Sequence, residues 1–206
     1  MSFGFGVLIA VLLLILPGAV VALAGGRLRW YVALGVGPVL TYGVVGLAII
    51  PFGAIGVRWN VWTALLALAI VTAVVFGLRI LLTRYRAADP PTVDEVSLWP
   101  ALVVTAGVIF GALLIGFAAW RGHAVLAIHP PSNWDSVWHA NTIRWILDTG
   151  QASSTHMGEL RNVETHASLY YPPSVFHALG AVLAQLTGAA PTTAYTLSSL
   201  AAAVWL

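Results

Sequence analysis

Residues 3–24 read FGFGVLIAVLLLILPGAVVALA, a run with no charged side chain. About 20 consecutive apolar residues satisfy their own backbone hydrogen bonds as a helix and match the thickness of a bilayer core. A cleaved leader is the competing reading. The run is too long for one, is interrupted by Pro17-Gly18 and has no basic residue before it, so it reads as a retained span. Working outward, Gly25-Gly26 closes the span and Arg27 and Arg29 follow. Trp30 to Ile50 is a second span ended by Pro51, and a short loop with Arg58 and Trp59 leads to a third from Val61 to Leu82.

The whole chain has this character, being 60% hydrophobic and 8% charged. The fold class is therefore all-α, a polytopic helical transmembrane protein. Cysteine is absent, which excludes disulfides and thiolate metal sites, and a net charge of +2 gives no basis for nucleic-acid binding. All nine basic residues are Arg, which reads as a codon bias of the source.

Residues 84–100, RYRAADPPTVDEVSLWP, form a linker marked by paired prolines and mixed charge, and Leu98 to Trp120 is a fourth span. The expected division is 1–97, three spans and a linker, then 98–206, the start of a second transmembrane core with an external loop at 121–173. After that loop, Ser174 to Thr187 is apolar but short, roughly 21 Å against a core of about 30 Å, which predicts an earlier start or little tilt. Gly188 to Pro191 is a turn. The final apolar segment ends at Leu206 without a polar flank, as expected of a truncated chain.

Arg27, Arg29, Arg84 and Arg86 sit in pairs at helix ends, which places those ends in the cytoplasm and the Arg58 loop and the polar stretch outside. Arg58, Arg121, Arg144 and Arg161 fall on the other side, so clustering rather than number decides. Arg79 lies inside the third helix.

Polarity is concentrated at 133–173, NWDSVWHANTIRWILDTGQASSTHMGELRNVETHASLYYPP. Its first part predicts an external amphipathic helix with Asp135, His139, Thr142 and Ile146 on one stripe and Trp134, Trp138 and Trp145 on the next. The tryptophan stripe suits a helix lying along the headgroups. Arg144 and Asp148 fall on the far side as a solvated pair. Each residue has a plainer role available. Ser132-x-x-Asp135 is a capping box, His139 suits an interfacial hydrogen bond, and Tyr170-Tyr171-Pro172-Pro173 suits an aromatic belt before a helix. Asp135-x-x-x-His139 also has the spacing of two metal ligands, without a third.

An acid just outside a span, an amphipathic helix ending at Gly150, a polar loop and Tyr171-Pro172-Pro173 leading into Phe176-His177 resemble the first large external loop of the GT-C superfamily of membrane glycosyltransferases. The Pro17-Gly18 pair, taken to close the first helix, and the three leading spans are similar to uncharacterised actinobacterial members of that group. The resemblance covers residues 120–206 well and the N-terminal half in general character. It implies transfer of a sugar from a polyprenyl-phosphate donor to a cell-envelope glycan, lipid or protein acceptor on the extracytoplasmic face of the cell membrane, among membrane lipids. By the same resemblance Asp135 is the catalytic base, and His139, Arg161, Glu164, His166 and Tyr171 bind substrate. A divalent metal ion is the one cofactor it suggests. The family's second acid directly after the first is Ser136 here, and Glu164 is its candidate replacement. The alternative function is non-catalytic, a lipid-linked-sugar transporter or an envelope-assembly scaffold; a transporter predicts charged residues buried in mid-span, and Arg79 alone approaches that description.

Overall fold

The computed structural model describes residues 3–26, 28–85, 134–155 and 175–205, with scattered positions between 102 and 117. Among the described residues there are helices and connecting loops and no strand. Three long helices come first, α1 (Phe3–Gly25), α2 (Trp30–Ala54) and α3 (Val61–Tyr85). Three shorter ones follow, α4 (Trp134–Thr149), α5 (Val175–Thr187) and α6 (Pro191–Trp205). The scattered residues of the expected fourth span are helical and nearly all exposed.

The three long helices are each apolar and long enough to cross a membrane. Their outward faces carry large apolar side chains, among them Trp62, Leu65, Leu66, Leu47 and Leu81, each more than half exposed. Such a surface is stable only where lipid replaces water, so this is a membrane protein.

The helices differ from expectation where proline was read as a terminus. α1 runs through Pro17-Gly18, and α2 runs past Pro51 to Ala54. A proline removes one i→i−4 bond, and packed neighbours in a membrane bundle re-satisfy what it frees. At Pro17-Gly18 that neighbour is α2, where the Thr41 Oγ1 accepts from the Gly18 amide at 2.9 Å. The true end of α2 is a Schellman turn. Gly56 has φ +73°, its amide donates to the Gly53 carbonyl, and the Val57 amide donates to Phe52 at 2.8 Å. Asn60 then caps α3, its Oδ1 accepting from the Trp62 and Thr63 amides while the Thr63 hydroxyl accepts from the Asn60 amide.

Arg79 is not a mid-membrane charge. Its Nη1 lies 3.3–3.5 Å from the carbonyl oxygens of Leu23, Ala24 and Gly26, the unpaired acceptors at the end of α1. The guanidinium therefore belongs to the same end of the bundle as Arg29 and Arg84.

α5 is buried on every side, from His177 through Ala184 without a break. Thirteen residues make a helix of roughly 20 Å, shorter than a bilayer core of about 30 Å. It is a central core helix, enclosed by α1, α2, α4 and α6.

α1 and α2 cross in close contact, where a Cβ on Gly18 would run into the Gly37 carbonyl and the Thr41 amide. These are backbone atoms and cannot turn aside. Gly18→Val should therefore destabilise the protein in detergent by about 1–3 kcal/mol or abolish folded yield. Gly43→Ala, on the same helix pair but with nothing within reach of the new methyl, should stay within about 1 kcal/mol of wild type. Equal thermal stability of the two variants would remove the crossing as a determinant of the fold.

Candidate functional site

The site is built at the end of the bundle where the α2–α3 loop, α4 and the start of α5 meet. α4 ends at Gly150, whose φ of +76° closes the helix through a bond from its amide to the Ile146 carbonyl at 2.8 Å. A Cβ at Gly150 would strike the Arg58 side chain, so the loop lies directly on this turn. Arg58 Nη2 donates to the Asp148 carbonyl at 3.0 Å, and the Trp59 amide donates to the Gly150 carbonyl at 2.7 Å. Trp59 itself is buried, and its Nε1–H donates to the Ala178 carbonyl of α5 at 3.0 Å. The Arg58 loop and the end of α4 therefore stand at the same end of the bundle.

α4 presents Ser136, Ala140, Ile143 and Ile146 to the protein, and Ile143 and Ile146 are completely enclosed. The predicted stripe of His139, Thr142 and Ile146 faces inward, with His139 half-buried. The expectation of a helix resting on lipid through its tryptophans is corrected here. Trp145 is half-buried and packs against the protein core, and Trp138 is half-buried with its Nε1 enclosed and without a hydrogen-bond partner. What holds α4 is protein, because α5 and α6 offer an apolar wall that lipid would otherwise fill. Arg144 and Asp148 are exposed and paired at 2.7 Å, and that hydrogen bond and charge raise the Arg144 guanidinium above its ordinary value. Ser153, in the middle of the polar stretch, is fully buried, its hydroxyl 2.8 Å from that of Thr155.

At the centre, His139 Nδ1 and His177 Nε2 are 2.7 Å apart. The ring centroids are 4.9 Å apart with planes at 27°, so the rings meet edge to edge through their nitrogens rather than face to face. Tyr195 of α6 stacks on His139 at 5.3 Å with planes at 10°, and Phe176 meets both His139 and Tyr195 with its edge. One of the two nitrogens carries the shared proton and the other accepts it.

Of the six residues singled out from the sequence, His139 is brought into this cluster. Asp135 stands one helical turn before it on α4, where the structure describes the backbone. Arg161, Glu164, His166 and Tyr171 lie outside the described residues, as does the Ser132 end of the proposed capping box. Among the described residues no three His, Cys, Asp or Glu side chains gather as a metal site. The histidine pair does not fit one as placed. Two nitrogens bound at about 2.0–2.1 Å to a tetrahedral ion lie farther apart than 2.7 Å, and these two face each other.

His177, Tyr195 and Trp59 carry the site without having been singled out as site residues. A signal for His177 exists in retrospect, since α5 is otherwise apolar and a lone ionisable residue in such a helix asks for a partner.

The chain belongs to a family of unknown function, DUF6541, whose model matches residues 11–206. The match runs through the long helices, α4 and the histidine cluster alike. No curated protein matches the chain, and no solved structure does.

Proposed function

We propose that this member of DUF6541 is a GT-C-like membrane glycosyltransferase that uses a polyprenyl-phosphate sugar at the extracytoplasmic end of its helices. The observation that supports the reading is the meeting of the two segments on which the resemblance rests. The helix carrying Asp135 and His139, and the Phe176-His177 pair that follows the aromatic-Pro-Pro turn, join through the 2.7 Å contact between rings 38 residues apart in the chain. A site assembled from both ends of the polar stretch is what such a loop requires. The position of Arg79 adds to the case. It joins Arg29 and Arg84 at the opposite end of the bundle, which strengthens the positive-inside argument for an external site and removes the one mid-span charge that favoured a transporter.

In this reading the acceptor hydroxyl oxygen forms a bond to the anomeric carbon while the bond from that carbon to the phosphate oxygen breaks, its electron pair leaving with the polyprenyl phosphate. The Asp135 carboxylate takes the hydroxyl proton as the alcohol becomes acidic in the transition state. The departing phosphate is met by hydrogen-bond donors, with His139 the one that the described part of the site supplies. Arg161 and His166 remain candidates for the same duty, with Glu164 and Tyr171 for the sugar. A divalent ion would supply further charge on the phosphate, but the described histidines do not form its site.

Asp135→Asn separates catalysis from helix capping, because Asn caps nearly as well but accepts no proton at neutral pH. In the full-length protein the change should cost about 1 kcal/mol or less in stability and lower turnover by roughly 10²-fold or more. Near-normal transfer by the Asn variant would sink the assignment. The orientation is checked by Ile55→Cys, an exposed position in the α2–α3 loop. It should react with a membrane-impermeant maleimide in intact cells, and reaction only after lysis would invert the map.

A further inference from the structure

α3 lies against the bundle without closing on it. It buries almost none of its spanning stretch, and among the described residues three adjoining cavities follow the seam between α3 and α1. The one nearest the arginine end, between Ala24 and Phe76, has a volume of about 680 Å³. The next, of about 290 Å³, shares Val20 and Leu68 with it. The last, of about 140 Å³, continues from Leu13 and Leu68 and ends beneath Leu179 and Val182 of α5. Together they form one tapering groove. On α3 it runs from Phe76 to Val61, about 22 Å at 1.5 Å per residue.

Its lining fits a hydrocarbon chain. Every lining side chain is apolar except Thr41 and Thr72, and the Thr41 hydroxyl already accepts from the Gly18 amide. Water would find almost no partner in such a space, and left empty it would forfeit the contacts of its walls. The groove is open along its side, where Val20, Leu23, Leu65 and Phe76 are each about half exposed. An acyl chain of the surrounding bilayer can therefore enter laterally, and the length of the groove is that of one such chain extended.

The wide end carries positive charge. The Arg79 Nη1 lies 3.3 Å from the carbonyl of Ala24, a residue of the groove wall, so the guanidinium stands at the mouth. Its printed bonds to the end of α1 use Nη1 alone, one of three guanidinium nitrogens. Arg29 and Arg84 are exposed at the same end. Trp30 and Tyr31, exposed and meeting edge to face, mark it as the level of the headgroups. The sequence around this end holds five arginines, at 27, 29, 79, 84 and 86, against three acids, Asp89, Asp94 and Glu95, which lie outside the described residues. Positive charge is in excess there.

We propose that the α1–α3 groove binds an anionic phospholipid of the leaflet at the arginine end, with one acyl chain along the groove and the phosphate on Arg79. The phosphate accepts a charge-assisted hydrogen bond from the guanidinium, and the neighbouring arginines favour a headgroup with net negative charge. This site lies at the opposite end of the bundle from the histidine cluster. A polyprenyl chain is the rival occupant by chemistry, but from the site end it meets the groove at its narrowest, beneath α5.

The full-length protein, stripped of lipid in detergent, is titrated with phosphatidylglycerol or with phosphatidylcholine of identical chains, and retained lipids are counted by native mass spectrometry. The wild type should retain one phosphatidylglycerol per chain and hold it roughly fivefold or more tightly than phosphatidylcholine. Ala73→Phe fills the wide part of the groove from an exposed position and should weaken both lipids roughly tenfold or more. Leu66→Phe, on α3 but outside the groove, should bind as the wild type does. Arg79→Gln should hold the two lipids alike, and Arg79→Lys should keep the preference. Circular dichroism confirms the helical fold of each variant. A wild type that retains neither lipid, or both equally, overturns the proposal, and so does a folded Ala73→Phe protein with unchanged retention. Displacement of phosphatidylglycerol by an equal concentration of polyprenyl phosphate would give the groove to that chain, and a lipid-free dimer would give it to a second copy; either result overturns the proposal as well. The wild-type preference and the Arg79 variants decide the matter even if Ala73→Phe fails to fold.

Discussion

The bond from Trp59 Nε1–H to the Ala178 carbonyl joins two parts of the chain 119 residues apart, and the rest of the structure depends on it. Trp59 is buried between the Schellman turn of α2 and the cap of α3, so its ring is fixed by both spanning helices. Through that ring the membrane-crossing hairpin holds α5, and through the neighbouring amide and Arg58 it holds the end of α4. The Ala178 carbonyl also lies within α5, so the Trp59 bond is an added one, contributing about 0.5–1.5 kcal/mol as a neutral hydrogen bond, and its larger effect is to hold α5 to the α2–α3 loop. The anchor and the site are thus one folding problem.

Lipid as solvent explains the division of labour among the helices. α3 buries little of itself and presents Trp62, Leu65, Leu66 and Leu81 outward, because lipid accepts such side chains at no loss. α5 does the opposite, and its small residues allow the close packing that a membrane core requires. Gly180 is one of them, lying against the Ile143 side chain of α4. Polar contacts are placed where a helix has lost a backbone bond or reached its end. Thr41 meets the amide after Pro17, Asn60 caps α3, and Arg79 meets the last carbonyls of α1. The cluster of His139, His177 and Tyr195 stands apart from this pattern, since its two imidazole rings meet each other, side chain to side chain, and demand a proton between them. Its polarity serves no structural need that an apolar pair would not meet at lower cost.

The spans were legible because a long apolar run has one stable form in lipid. The first span was read to its true end with Pro17 inside it, while the end of the second was set too early at Pro51, where the rule that proline ends a helix comes from water and weakens in a packed bundle. The stripe of His139, Thr142 and Ile146 on α4 was legible from its period, but not that it turns towards the protein. What covers that face was not legible. A tryptophan at the lipid boundary and one packed on protein have the same spacing, and α5, apolar all round, shows no face by which to tell a core helix from a span. The meeting of His139 with His177 was hidden for a different reason. It joins two helices across a polar stretch, and local sequence carries no term for such a contact. The partners of Arg79, carbonyls at the end of α1, were hidden for the same reason.

Chemically, the described part of the site offers a pair of imidazole rings, His139 and His177, and one backbone-placed acid, Asp135, beside apolar helices. The central claim is that a lipid-linked phosphate sugar binds where α4 and α5 converge. The most direct measurement uses a polyprenyl-phosphate sugar with a diazirine on the sugar, irradiated with the full-length protein in vesicles and followed by mass spectrometry of the adducts. The account predicts adducts on peptides that contain α4 or the start of α5, lost when unlabelled polyprenyl-phosphate sugar competes and unaffected by free polyprenol. Adducts confined to the lipid-facing surface of α3, or a pattern that polyprenol displaces equally well, would contradict it.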